Sequence, residues 1–267
     1  MSPADVDSRS VLVCRPRDAG EMELVGYHRI RRHLRGAFDL VTAVRPDGAV
    51  SEASKADAVV AYEPHLDRRT AAFVETIGVA CSGGLVLVTP FDAPGLRHLA
   101  PVRIDAVIFE EEIDQRLIPA VDDACRLTTI LSAIARCEER DGPLPGVVGA
   151  GLERLARDAC SGQDYVGSLR ALADRVGCSV GYLRGVLRRR DIRGSELVRL
   201  CFLLSALRAR QSGSAWERVA LRHGYRSVSG LSEAFLRRFG KRTSHLDAAL
   251  QVPVVVASIC ACLEGDP

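Results

Sequence analysis

The sequence predicts two domains of different class: an α/β domain built on a five-stranded parallel sheet, then an all-α domain with two helix-turn-helix motifs. Three observations predict this arrangement. Short apolar runs alternate with helical segments from Ser10 to Phe109, a helix-turn-helix pattern occurs twice after Ser168, and the charge changes sign between the halves. Residues 1–149 carry 17 Lys and Arg against 23 Asp and Glu, whereas residues 151–250 carry 19 against 9. The whole-chain net charge of +2 conceals this polarity.

The parallel sheet is predicted from five short runs of apolar, often β-branched residues. Runs of this kind are typical of strands that are buried on both faces of a sheet. Helical segments separate them, among them residues 21–35 and 66–77, as a parallel sheet covered on both sides requires. The five predicted strands are residues 10–14, 38–44, 57–62, 85–89 and 105–109.

This layout is receiver-like or flavodoxin-like, and it resembles a response-regulator receiver domain. Thr89 and Phe109 match positions that carry a hydroxyl and an aromatic side chain in that family. An unrelated α/β domain is the alternative that the pattern leaves open, since short apolar runs are ambiguous one at a time.

The residues that hold the phosphate in the receiver family are replaced in this chain. The resemblance implies an aspartate at the end of the third strand, an acidic pair after the first and a lysine after the fifth. Here the third strand ends in Ala61, Tyr62 and Glu63, residues 14–17 (CRPR) and Asp18 follow the first, and Glu110–Glu112 stands where lysine is expected. Clustered carboxylates repel phosphate, and Asp18 and Glu63 offer too few oxygens for a hard cation. The sequence therefore predicts a degenerate receiver domain, residues 1–112, that is not phosphorylated.

A linker segment, residues 113–146, is predicted to follow. Apolar residues at helical spacing predict a long helix over residues 113–140, entered at Pro119. Residues 141–146 (DGPLPG) end it. The helix serves either dimerisation or packing on its own sheet, and the apolar stripe is compatible with both.

The all-α domain, residues 147–250, begins with a predicted helix over residues 147–160, and its first helix-turn-helix motif follows. Two helices are predicted over residues 168–175 and 179–189, with Gly177 in the turn and Ser179 as an N-cap. A third predicted helix, residues 195–211, has apolar residues three and four apart and connects this motif to the second.

The second motif is the more sharply defined one. Trp216, Val219 and Ala220 give a helix over residues 215–222 one apolar face. Gly224 suits a left-handed turn, and Ser227 is a suitable N-cap for the next helix, residues 227–239. Leu231, Phe235 and Phe239 then recur every fourth residue along its buried stripe.

The stretch from about residue 165 to residue 250 resembles the AraC/XylS family of transcription regulators. The resemblance rests on the sequences SLRALADRVGCSVGYLRGVL and VALRHGYRSVSGLSEAFLRRFGKRT and on the helix between them. It implies that two reading helices enter successive major grooves on one face of DNA, about 34 Å apart. Thr243, Leu246 and Asp247 depart from the family, which usually has proline and a tyrosine-arginine pair there.

The resemblance also implies which residues contact DNA. Arg184 could pair with guanine and Glu233 could accept from a cytosine amino group, whereas the two glycines offer no side chain. Basic residues at the ends of the two reading helices are the expected phosphate contacts. The implied base contacts are Gly181, Arg184, Gly185, Val228, Ser229 and Glu233, and the phosphate contacts are Arg188, Arg189, Arg226, Arg237, Arg238 and Lys241.

The remaining features predict neither catalysis nor a cofactor. The nine cysteines do not have the spacing of zinc ligands, although they could serve as a thiol sensor. No serine or cysteine nucleophile occurs in a recognisable motif with a histidine. Residues 251–267 form an apolar tail that is too short to cross a membrane. The tail is expected to add either a strand or a helix to a neighbouring element. Neither a signal peptide nor a membrane span is predicted, so a cytoplasmic location is expected.

The expected function is that of a DNA-binding transcriptional regulator. It would act on double-stranded DNA as a homodimer, through an amino-terminal domain that responds to a small-molecule or protein effector. The alternative is a ligand- or partner-binding signalling module whose DNA binding is secondary and weakly specific.

Overall fold

The computed structural model describes residues 9–15, 24–43, 46–81, 83–91, 93–100, 102–162 and 166–265. The chain divides into two compact units, Met1–Thr128 and Thr129–Pro267. A long helix begins in the first unit and ends in the second.

The first unit is built on a five-stranded parallel sheet, which confirms the sequence prediction. The order β2-β1-β3-β4-β5 is a common one among doubly wound α/β sheets. In register, Val11 of β1 lies opposite Ala58 of β3, and Val60 of β3 lies opposite Val86 of β4. The strands are β1 (Ser10–Cys14), β2 (Asp39–Ala43), β3 (Ala58–Tyr62), β4 (Gly84–Thr89) and β5 (Ala106–Phe109).

Helices cover both faces of this sheet and bury two separate cores. Because strand side chains alternate between faces, Val11 and Val13 contribute to the core beneath α1 and α5, while Leu12 and Cys14 contribute to the core beneath α2 and α3. The helices are α1 (Leu24–Leu34), α2 (Pro46–Ala53), α3 (Arg68–Ala80), α4 (Ala93–Leu96) and α5 (Ile113–Asp141).

The start of α5 differs from the sequence prediction, and the predicted start of α1 lies outside the described residues. Pro119 was expected to open α5, but it lies inside the helix, which begins at Ile113 directly after a 3₁₀ turn at Glu110–Glu112. A proline inside a helix removes one main-chain hydrogen bond and its ring crowds the carbonyl four residues earlier. Burial of Ile113, Leu117 and Val121 on either side of Pro119 stabilises the helix against this cost. The expected start of α1 at Glu21 lies outside the described residues.

The second unit is helical and is organised around one central helix. Leu200 to Ala209 of that helix are buried, because α9 packs against α6, α7, α8, α10 and α12. Most of these buried residues are apolar, and the buried Ser205 and Arg208 have hydrogen-bond partners. The helices are α6 (Gly146–Ser161), α7 (Leu169–Val176), α8 (Val180–Arg188), α9 (Gly194–Gln211), α10 (Trp216–Arg222), α11 (Val228–Phe239) and α12 (Ala248–Glu264).

The apolar tail, for which the sequence left strand and helix open, is a helix. Asp247 caps α12 by accepting a hydrogen bond from the Ala249 N–H at 2.9 Å, and Val252, Val255 and Ile259 are buried as the helix packs on α9. Thr243, which departs from the family pattern, is buried in a 3₁₀ turn just before it. Within the described ranges, no helix combines the length and apolarity needed to cross a bilayer.

Candidate nucleic-acid interface

The first helix pair, α7 and α8, has a serine cap on each helix: Ser179 caps α8 as predicted, and Ser168 caps α7. Ser168 Oγ accepts from the Ala171 N–H and Ser179 Oγ from the Tyr182 N–H, each at 3.1 Å. These bonds satisfy main-chain donors that a helix start leaves without partners. Gly177 has a φ of +71°, so it occupies the left-handed turn between the helices without steric cost.

The second helix pair, α10 and α11, is joined by the predicted turn at Gly224, whose φ is +76°. The ring of Trp216 lies edge-on to Phe235 at 5.9 Å, which fixes α10 against α11. Ser227 occupies the predicted N-cap position, but its hydroxyl forms no capping hydrogen bond within the described residues. Ser227 is exposed, so water can satisfy the first main-chain donors of α11 instead.

His223 lies buried beside this turn, as expected for a structural histidine. Its Nδ1 is 2.9 Å from the Val219 carbonyl oxygen, which can only accept, so Nδ1 carries the proton. Its Nε2 lies 3.1 Å from Ser205 Oγ on α9. Burial lowers the pKa of His223, so the ring is neutral at pH 7. The histidine thus ties the turn to the central helix.

The six residues implied as base contacts lie away from the buried stripes of their helices. On α8, Gly181 and Arg184 are exposed and Gly185 is half-buried, whereas Leu183, Val186 and Leu187 face the core. On α11, Ser229 and Glu233 are exposed and Val228 is half-buried, whereas Leu231, Ala234 and Phe235 face the core.

Gly181 and Gly185 have no packing role within the described residues. A β-carbon at Gly181 would meet only Ser179 Oγ at 4.0 Å, and one at Gly185 only Arg189 Nη1 at 3.9 Å. Glycine inside a helix costs about 1 kcal/mol relative to alanine. The outer surface of α8 is therefore bare main chain at two of the three implied base-contact positions.

The basic residues expected to contact phosphate lie at the ends of α8 and α11, and they differ in how freely they can reach outward. Arg188, Arg189, Arg226 and Lys241 are exposed. Arg237 lies 4.0 Å from the Glu233 carboxylate on the same helix. Arg238 forms an ion pair with Glu196 of α9 at 3.3 Å, so part of its charge is already compensated.

An open cleft of about 320 Å³ borders α11 and contains residues that the sequence did not single out. Arg242, Ser232 and Ser244 line it beside Ser229 and Glu233. The basic pair Lys241-Arg242 was a visible signal for Arg242, but the serine hydroxyls carry no sequence signal of their own. The complete lining is Val228, Ser229, Ser232, Glu233, Leu236, Arg242, Thr243 and Ser244.

In the first unit, Tyr62, Glu63, Thr89 and Glu110 lie at the carboxyl edge of the sheet, where β3, β4 and β5 end. Tyr62 is buried, and its hydroxyl donates to the Glu110 carboxylate at 2.5 Å. Thr89 Oγ1 is buried without a hydrogen-bond partner among the described residues. Asp18, expected after β1, lies outside the described residues.

Glu63 follows β3 at the same edge and is only 3% exposed. Burial, with a smaller contribution from the charge of Asp67, raises the pKa of Glu63 to about 8. Glu63 is therefore mostly protonated at pH 7.

The cysteines are mostly buried, which bears on the thiol-sensor reading. Only Cys178 is partly exposed. Burial raises the pKa of Cys14 and of Cys125 to about 12 and that of Cys260 to about 11, so the reactive thiolate is scarce at these positions. In the part of the chain that the structure describes, no group of three or more His, Cys, Asp and Glu residues could hold a metal ion.

No protein-family model matches the chain, and no curated protein matches it at a significant level. The likeness to AraC/XylS regulators therefore rests on the residues quoted from the sequence.

Proposed function

We propose that this protein is a DNA-binding transcriptional regulator of the AraC/XylS type, in which α8 and α11 read duplex DNA. The observation that carries the proposal is the repetition of one local design. Both helix pairs have a left-handed glycine turn and a buried apolar stripe, and in both the implied contact residues are exposed or half-buried beside basic helix ends.

The two reading helices would enter successive major grooves and contribute unequally to specificity. In α8, Arg184 would donate to guanine O6 and N7, while the glycines allow close approach without reading a base edge. In α11, Glu233 would accept from a cytosine amino group and Val228 would contact a thymine methyl group. Part of the selectivity would then come from DNA shape.

The basic residues around these helices would supply most of the affinity. The net charge of +10 over residues 151–250 attracts the phosphate backbone, and each neutralised phosphate releases counterions. We assign Arg188, Arg189, Arg226, Arg237, Arg238 and Lys241 to phosphate contacts, with Arg238 the weakest of them because of its ion pair with Glu196.

The first unit would act as a receiver-like regulatory domain that works without phosphorylation, in a homodimer that responds to an effector. The order β2-β1-β3-β4-β5 fits a receiver-like or flavodoxin-like fold. Tyr62 and Glu110 are hydrogen-bonded to each other at the sheet edge, where a receiver places its aspartate and lysine. Incubation of the full chain with acetyl phosphate and Mg²⁺ should leave its mass unchanged, and a stable phosphoprotein would refute this part of the proposal.

The DNA-binding proposal is tested by selecting duplexes from a random library and comparing the affinities of the enriched and scrambled sequences. We expect a clear preference for the enriched duplex. Arg184→Ala should cost about 1–3 kcal/mol on the enriched duplex and little on scrambled DNA. Arg154→Ala, on the exposed side of α6, is the matched control and should bind like the native chain. Equal native affinity for enriched and scrambled DNA would contradict sequence-specific regulation.

A second candidate function is a ligand- or partner-binding signalling module with weak, secondary DNA binding. The glycines at positions 181 and 185 favour it, because they remove side chains from two implied reading positions. The two candidates differ in genomic occupancy, since one sharp sequence motif would exclude the signalling module.

A further inference from the structure

Three consecutive arginines lie at the carboxyl end of the reading helix α8 and directly after it, and the third differs from the other two in its burial. Arg188 and Arg189 are exposed, whereas Arg190 is only 8% exposed. Taking a guanidinium out of water costs several kcal/mol unless hydrogen bonds replace its hydration. Hydrogen bonds within the protein must therefore compensate the lost hydration of Arg190.

The guanidinium of Arg190 connects α8 to the segment that follows α5. Its Nη2 donates to the carbonyl oxygens of Gly142 at 3.2 Å and Pro143 at 2.9 Å. Its Nη1 donates to the Val186 carbonyl oxygen of α8 at 3.4 Å. All these acceptors are main-chain atoms, so the side chain fixes the course of the backbone between α5 and α6.

A second arginine completes the connection from the opposite side. Arg140, in the last turn of α5, donates from Nη2 to the Arg190 carbonyl oxygen at 3.1 Å and from Nη1 to the Glu264 carbonyl oxygen of α12. Gly142 has a φ of +82°, which turns the chain immediately after α5. The end of α5, the connector at Gly142 and Pro143, and the end of α8 thus form one hydrogen-bonded group within the second unit.

We propose that Arg190 is a positioning residue that fixes the reading helix α8 to the carboxyl end of α5. It does not contact DNA, and its role in DNA reading rests on the proposed function. Within the second unit, a displacement of the carboxyl end of α5 would reach α8 through Arg190.

The test compares Arg190→Met, which keeps the unbranched stem of the side chain but removes the guanidinium donors, with Arg189→Met at the exposed neighbour. On duplexes with both half-sites, Arg190→Met should bind about tenfold more weakly, lose protection mainly over the half-site of α8, and keep the native salt dependence. Arg189→Met should instead flatten the salt dependence by about one phosphate contact. If Arg190→Met flattens it equally, Arg190 is a phosphate contact and the proposal fails.

A second readout does not depend on DNA. Hydrogen exchange on the free full-length chain should become faster in Arg190→Met at the last turn of α8 and at the connector together, but not in Arg189→Met. Arg190→Lys should be intermediate, since an ammonium lacks the planar fork, and it replaces the methionine variant should that one not fold. Unchanged exchange in α8 and the connector would overturn the positioning role, whereas native protein that binds no duplex would refute only the proposed function.

Discussion

Glu63 in the first unit and His223 in the second are both buried ionisable side chains. The pKa of each is shifted in the direction that favours its neutral form. The pKa of the carboxyl group is raised and that of the imidazole is lowered, because burial penalises whichever form is charged. Stability follows the difference in bound protons between the folded and unfolded chain. The two units should therefore respond to pH in opposite ways.

Acidification should weaken the second unit through His223. Its folded pKa lies below the unfolded value of about 6.5, so the unfolded chain binds the proton more readily, and stability is lost as the pH falls below that value. The loss can reach about 1.4 kcal/mol per pH unit. Fluorescence of Trp216, the single tryptophan, during urea unfolding reports on this unit. His223→Gln should remove much of the pH dependence, and a change of equal size in His245→Gln, at an exposed site, would contradict this explanation.

Raising the pH should weaken the first unit through Glu63. Between the unfolded pKa of 4.5 and the folded pKa of about 8, the folded chain holds a proton that the unfolded chain has released, so stability falls as pH rises through this window. Glu63→Gln should make the unit less sensitive to pH. Hydrogen exchange in β3 at pH 5 and pH 8.5 measures the effect, with the exposed Glu75→Gln as control. A native chain equally protected at both pH values would argue against a buried, protonated Glu63.

At the scale of elements, the start of β4 depends on a close approach to α5. A β-carbon on Gly84 would lie 2.5 Å from Cα and Cβ of Ala124, so the strand and the helix meet here without room for a side chain. The glycine at position 84 is therefore explained by packing.

Gly84→Ala should destabilise the protein by about 1–3 kcal/mol, the usual cost of overpacking. Gly48→Ala is the matched control, since Gly48 lies in α2 with nothing within 4 Å of its missing β-carbon. That change should be neutral or slightly stabilising, because alanine favours helix. Thermal unfolding followed by circular dichroism compares the two variants. A Gly84→Ala chain as stable as Gly48→Ala would mean that β4 can move away from α5 at little cost.

At the scale of the whole molecule, positive charge is concentrated in residues 151–250. This concentration predicts that DNA binding depends strongly on the salt concentration. Six phosphate contacts give a slope of about −5 for the logarithm of affinity against the logarithm of salt concentration. Replacing Arg188, Arg226 or Lys241 by glutamine should each reduce the slope by about 0.9, whereas Arg238→Gln should reduce it less because Glu196 already pairs with that arginine. Titrations between 50 and 200 mM salt measure these slopes. Arg154→Gln should leave the slope unchanged, and a native slope near zero would contradict the assignment of phosphate contacts.

The elements themselves were readable from the sequence because their signals are local. The five strands, the serine cap of α8 and the glycine turns at positions 177 and 224 depend on neighbouring residues within a few positions. The implied contact residues of α8 and α11 are exposed or half-buried, since a buried apolar stripe leaves only the opposite side of a helix free.

The different environments of residues of the same type could not be predicted from the sequence, because they depend on tertiary contacts. Arg188, Arg189 and Arg190 are equivalent in the sequence, yet only Arg190 is turned inward, because the carbonyl oxygens of Gly142 and Pro143 come from a segment nearly fifty residues away. The helical state of the tail and the need for Gly84 likewise depend on α9 and α5. Most of the elements and their charged faces could be predicted from the sequence, because they follow from spacing along the chain. The partners of buried polar groups depend on distant residues that only folding brings together.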